Sequence, residues 1–270
     1  MPSYVRQRSP PTCQWNVPDV SLVDWDSVDA LREEVERVGA SRIAAIFVEP
    51  VIGAGGVYPP PDGYIEGVAE LCRETGILFI CDAVICGFGR LGTWYGIERW
   101  EDVRPDMITF AKGVTAGYLP LGGVVVSDSV AGPFFEAPGG PMLRHGATYA
   151  GHPACCAAGL AVLDIYERDG LIERGRELEG PLHDALSPLA AHPAVGEVRS
   201  GLGFLAAVAL SPEAIEEDAG AVARVAATAR DAGVLVRPLP GAIGMSPPLT
   251  VEQEHLELLS SAIAHGLDQL

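Results

Sequence analysis

Lysine is nearly absent from this chain: of its 18 basic residues, one is Lys112 and the other 17 are arginine. Long apolar runs are missing as well, since none approaches the roughly 20 residues that a membrane helix needs. The first stretch, "MPSYVRQRSPPTCQW", lacks the apolar core of a secretory signal, so the expectation is a cytoplasmic protein. Metal-type spacings are missing too. The six cysteines (Cys13, Cys72, Cys81, Cys86, Cys155, Cys156) form no C-x-x-C pair and no zinc pattern with histidine, and they read as reduced structural thiols. There is no H-E-x-x-H and no G-x-S-x-G, and His145 and His152 have no thiol or carboxylate partner at ligand spacing. No metal is expected.

Positive charge is scarce. The formal charge of −18 describes a surface that repels nucleic acid and anionic membranes, which leaves small molecules and other copies of the chain as partners. With 270 residues, 48% of them hydrophobic, the chain can bury the core of one large α/β unit or of two domains.

Apolar runs alternate with amphipathic stretches through the first two thirds, as in parallel α/β units. "SRIAAIFVEP" reads as a buried strand ending near Glu49. "DGYIEGVAELCRETG" reads as a helix with Ile65, Val68, Ala69, Leu71 and Cys72 on one face and Gly76 as its stop. "ILFICDAV", "DMITFA" and "LGGVVVS" read as three further strands. "PACCAAGLAVLDIY" is apolar nearly all round, which predicts a helix, opened by Pro153, that is deeply buried or at a subunit interface. Beyond it the pattern predicts a helical stretch interrupted at Gly180 and Pro181, and a hairpin turning at Gly201–Gly203. Another helix, two short strands and a last helix capped by Thr250 and Gln253 complete it. The fold class is therefore α/β, a mostly parallel sheet with flanking helices over residues 1–165, followed by a smaller α+β part over residues 166–270.

"GFGRLG" (Gly87–Gly92) matches the dinucleotide fingerprint literally, but no long helix follows and Asp82 would face a pyrophosphate, so a structural turn is the better reading. In "KGVTAG" the glycines follow the lysine, whereas a phosphate loop places them before it. Two groups remain, Asp82 closing "LFICD" and Lys112 closing "ITFAK". In a parallel sheet the carboxyl ends of strands share one ligand-binding rim, so Asp and Lys can meet one ligand; a structural ion pair or two unrelated loop residues are the alternatives. Arginine replaces lysine wherever only charge matters, but its guanidinium stays protonated and forms no imine with an aldehyde. Pyridoxal 5′-phosphate would use both groups: a lysine Schiff base, and a carboxylate opposite its ring nitrogen.

The strings "FVEPVIGAGGVYPPPDGY", "LFICDAVICGFGRLG", "PDMITFAKGVTAGYLPLGGVVVS", "HGATYAGHP" and "GVLVRPLPGAIGMSPPLT" resemble class III aminotransferases, pyridoxal-phosphate enzymes of fold type I that include the omega-transaminases. The resemblance implies that Lys112 carries the Schiff base and that Asp82 partners the ring nitrogen. It implies that Val84 packs on the ring, that Glu49 is among the cofactor-binding residues, and that Arg237 binds the substrate carboxylate. Thr148 would reach the cofactor phosphate of the neighbouring subunit in a homodimer. The activity implied is transfer of an amino group from an amine or amino acid to a keto acid or aldehyde. Decarboxylation, racemisation or carbon–carbon bond formation on the same cofactor stands as an alternative.

Three departures are visible. The family's D-E-V is Asp82-Ala83-Val84 here. Ala54 stands in the glycine-rich stretch where family members acting on omega-amino acids such as GABA or ornithine place a glutamate that masks the arginine. The family's N-terminal part, with its phosphate-binding Gly-Ser loop and ring-stacking aromatic, has no counterpart. The chain is thus expected to be a fragment, a remnant, or one subunit completed by a separate chain.

Overall fold

The computed structural model describes residues 3–8, 20–136 and 138–270; Cys13 lies outside them. Its first sheet has six strands, β1 (Ser3–Arg8), β2 (Val20–Asp24), β3 (Ile43–Val48), β4 (Leu78–Asp82), β5 (Met107–Phe110) and β6 (Gly123–Val126), in the order β2-β1-β3-β4-β5-β6. Pairings from β2 to β5 are parallel, whereas β6 runs antiparallel to β5. The alternation of strands and helices did not foretell this reversal. The connection from β5 to β6 holds a 3-10 turn but no α-helix that would carry the chain back over the sheet, so the chain returns antiparallel.

Helices α1 (Val28–Val38) and α2 (Tyr64–Thr75) cover this sheet, with Leu31, Val35, Ile65 and Val68 buried against Ile46 and Phe79. The face expected for α2 is the buried one, and Gly76, at φ 72°, ends the helix by donating to the Cys72 carbonyl. α1 and β2 were not anticipated. α1 is a strongly charged helix that buries only two side chains, and Ser27 caps it through Ala30 N–H.

α3 (Asp128–Phe135) leads to α4 (Pro153–Arg168), which opens on Pro153 as expected. α4 buries one stripe, Cys155, Gly159, Val162 and Tyr166, and leaves Leu160 and Ile165 exposed. α5 (Leu171–Glu177) and α6 (Glu179–Leu186) follow. Here the expected break at Gly180–Pro181 moves to Leu178, because Pro181 falls in the first turn of α6, where its missing N–H costs no helical bond.

The second sheet is formed by β7 (Val195–Arg199), β8 (Ala206–Leu210), and, after α7 (Pro212–Glu217) and α8 (Ala221–Asp231), β9 (Arg237–Leu239) and β10 (Ala242–Met245). It is antiparallel throughout, in the order β7-β8-β10-β9, and contains the expected hairpin. α9 (Gln253–Leu267) closes the fold. Its capping box uses Glu252 and His255 instead of Thr250 and Gln253, since Val251 N–H is held by the Pro248 carbonyl and the helix starts later.

All five residues of β8 are buried. Helices cover one side of the small sheet, and on the other Leu205, Ala207 and Ala209 pack against Val51, Cys86 and Leu91 from the loops after β3 and β4. That apolar seam joins the two sheets. Two polar ties reinforce it: Arg90 donates to the carbonyls of Phe204 (2.6 Å) and Pro247 (2.8 Å), and Glu179 binds both Arg99 (2.7 Å) and Gly203 N–H (2.8 Å).

Candidate active site

Asp82 is the last residue of β4 and pairs in register with Thr109 of β5; Lys112 follows three residues later, opening a 3-10 turn over Lys112–Thr115. The two groups therefore stand at neighbouring carboxyl ends of parallel strands, the edge at which such sheets bind ligands. One Asp82 oxygen is fixed by two donors, Val84 N–H at 3.0 Å and the Thr109 hydroxyl at 3.3 Å. Its other oxygen has no hydrogen bond among the described residues.

Lys112 is exposed, and its backbone is left-handed, with φ 44°. Behind it, Gly113 allows a close approach: a Cβ there would stand 2.7 Å from Cβ of Phe88. The Gly113 carbonyl accepts the hydroxyl of Tyr166 at 3.0 Å.

Val84, half-buried, sits two residues past Asp82, while Ala83 between them points the other way into the apolar cluster under the helices and is fully buried. Alanine suits that environment, where a carboxylate would need a partner. Ile85 then lines a cavity of about 60 Å³ with Gly53, Ala54, Leu205, Met245 and Arg237. The structure thus brings Arg237, at the start of β9, onto the same cavity as Ala54 and as Ile85, in the loop that follows Asp82. Glu49 accepts Gly53 N–H at 2.9 Å, which braces the turn bearing Ala54. Thr148 is exposed, in a stretch without helix or strand, and makes no hydrogen bond to Lys112, Asp82 or Val84.

The "GFGRLG" turn opens no helix at Gly92 and instead packs tightly, with Gly89 against α5. Burial pushes the thiol of Cys72 up to about 12 and those of Cys81 and Cys86 higher still, so they are unreactive packing groups. Sequence reasoning missed Thr109, Ile85 and Tyr166. Thr109 is the one polar residue in "MITF", a signal that was available; Tyr166 lies 53 residues from the carbonyl it binds and offers no local signal.

Residues 5–267 match the family model described as Aminotransferase class-III. The chain belongs to this family. Among its relatives, the omega-aminotransferase of Caulobacter vibrioides is 40% identical over 89% of this chain and 55% of its own length. The diaminobutyrate–2-oxoglutarate transaminase of Halomonas elongata is 38% identical over 84% of the chain and 50% of its own length. An (S)-enantioselective omega-transaminase from Thermomicrobium roseum superposes with a TM-score of 0.90 at 34% identity, covering 99% of this chain and 68% of that one. An amine transaminase from an uncultivated Pseudomonas species, solved with pyridoxal phosphate bound, gives 0.88 at 33% identity, covering 99% and 69%.

This class III chain therefore has the fold its motifs implied, and spans about half the length of the curated relatives it matches. Pyridoxal phosphate is the cofactor of the family. The described residues fit its reactive end: an exposed amine at one strand end, and at the next a carboxylate pinned through one oxygen with the other left to take a ring N–H. No described helix is long and apolar enough to cross a membrane.

Proposed function

We propose that this chain carries the catalytic lysine and the substrate-carboxylate arginine of a pyridoxal-phosphate transaminase. The reaction moves an amino group from an amine or amino acid to a keto acid or aldehyde. The observation that carries the reading is that the sole lysine follows β5 beside the strand end closed by Asp82. Bound, the cofactor supplies an electron sink for the substrate carbanion.

The protein's residues do the rest. Lys112 Nζ attaches the cofactor and carries the proton between carbon atoms. Asp82 keeps the ring nitrogen protonated, which it does best with its carboxylate held in one orientation by Val84 N–H and Thr109. Val84 packs on the ring. Arg237 offers a planar, bidentate guanidinium to a substrate carboxylate across the small cavity, with Glu49 bracing the cavity's other wall through Gly53. Ala54 leaves that guanidinium uncovered, which favours substrates simpler than omega-amino acids. Thr148 serves the phosphate in the neighbouring subunit of a homodimer, and the exposed face of α4 suits such an interface. We place the enzyme in the cytoplasm.

Lys112→Arg tests the reading. The variant keeps the charge, and the fold should be unchanged because the side chain is exposed. It should give no visible cofactor band and no borohydride-fixed adduct. A wild-type-like band in Lys112→Arg would refute the assignment.

A further inference from the structure

We propose that Tyr166 is a positioning residue for Lys112, holding the lysine's turn in its left-handed backbone from helix α4; the part played by Lys112 itself rests on the reading above. Lys112 (φ 44°) and Ala116 (φ 48°) both adopt a conformation that residues with a Cβ seldom hold. Such geometry persists only where its surroundings impose it.

Two groups impose it here. The Gly113 carbonyl receives Ala116 N–H at 3.1 Å and the Tyr166 hydroxyl at 3.0 Å, so the turn is pinned from inside and from outside. Phe88 fills the space beneath Gly113; its ring lies against that of Tyr166 (6.1 Å, 28°) and edge-on to Phe110 (6.1 Å, 71°), the residue two before Lys112. Trp94 lies edge-on to Tyr166 at 6.3 Å. Tyr166 is only 8% exposed, so the ring cannot swing away to satisfy its hydroxyl in water. Burial pushes its phenol up from the ordinary value, against a smaller opposing effect of Arg90, and it remains a protonated donor. A residue of the core alone would need the ring but not the hydroxyl.

Lys112 is the only lysine, which makes the test specific. Reductive ¹³C-methylation of the full chain gives one side-chain dimethylamine NMR signal, separate from that of the N-terminal amine. In Tyr166→Phe, which removes one oxygen, this signal should shift and narrow as the turn gains freedom. Retention of pyridoxal phosphate, read by the mass of the borohydride-fixed adduct, should weaken about fivefold, the equilibrium equivalent of one lost hydrogen bond. Trp94→Phe disturbs the ring packing without touching the hydroxyl and should leave the signal in place.

The proposal is overturned if Tyr166→Phe loses stability with the Lys112 signal unmoved, if Trp94→Phe moves it equally, or if Tyr166→Phe fails to fold. A wild-type chain that fixes no pyridoxal phosphate would count against the cofactor reading of Lys112, while the NMR comparison still decides the part played by Tyr166.

Discussion

Gly175→Ala should destabilise the protein, although helix propensity alone says the reverse. Gly175 lies inside α5, where alanine is worth roughly 1 kcal/mol over glycine. An added Cβ, however, would stand 1.9 Å from the carbonyl oxygen of Gly89 and 2.9 Å from its carbonyl carbon. Ordinary contact begins at 3.4 Å, and the opposing group is backbone, so α5 or the "GFGRLG" turn must retreat by more than an ångström. Overpacking of this kind costs about 1–3 kcal/mol, and backbone against backbone belongs at the upper end. The net expectation is a loss of about 2 kcal/mol, or a fall in Tm of roughly 4–8 °C for a chain of this size. Gly180→Ala in α6 is the matched control, because nothing lies within 4 Å of its added Cβ, and it should be neutral or stabilising. Gly89 adjoins Phe88, which supports the turn of Lys112, so Gly175→Ala should also lower cofactor retention. Thermal and urea melts of both variants decide the matter. A Gly175→Ala protein as stable as wild type would show that the α5 contact is looser than the structure has it.

Other perturbations give equally definite outcomes. Burial would raise the Glu179 carboxyl, but its bonds to Arg99 and Gly203 N–H outweigh that and hold it below the usual carboxylate range. Its stabilising effect is therefore complete above the unfolded carboxylate pKa and is lost as pH falls through the lower folded value. Glu179→Gln should cost about 1–2 kcal/mol at pH 7, with the gap to wild type closing in acid melts. Asp82→Asn keeps an acceptor for Val84 N–H and Thr109, so stability should change by less than about 0.5 kcal/mol. Turnover should nonetheless fall about a hundredfold for want of the charge; equal turnover would remove Asp82 from the site. Ala54→Glu sets a carboxylate in the cavity with Arg237 and should raise KM for carboxylate-bearing substrates roughly tenfold while sparing simple amines.

Much of this protein was legible along the chain because the relevant forces are local. Continuous apolar runs marked β3, β4 and β5, the spacing of Ile65, Val68 and Leu71 marked the buried face of α2, and glycine at 76 marked its end. A single lysine among 17 arginines singled out Lys112, because composition retains an amine only where guanidinium chemistry fails. Tertiary structure alone decided the rest. The reversal of β6, the late start of α9 and the break at Leu178 depend on what a connection contains and what holds its ends, which composition does not record. The meeting of Arg237 with Ala54, and of Tyr166 with Gly113, joins residues 183 and 53 positions apart; the packing of two sheets on one apolar seam makes the first, and the docking of α4 on the turn of Lys112 makes the second.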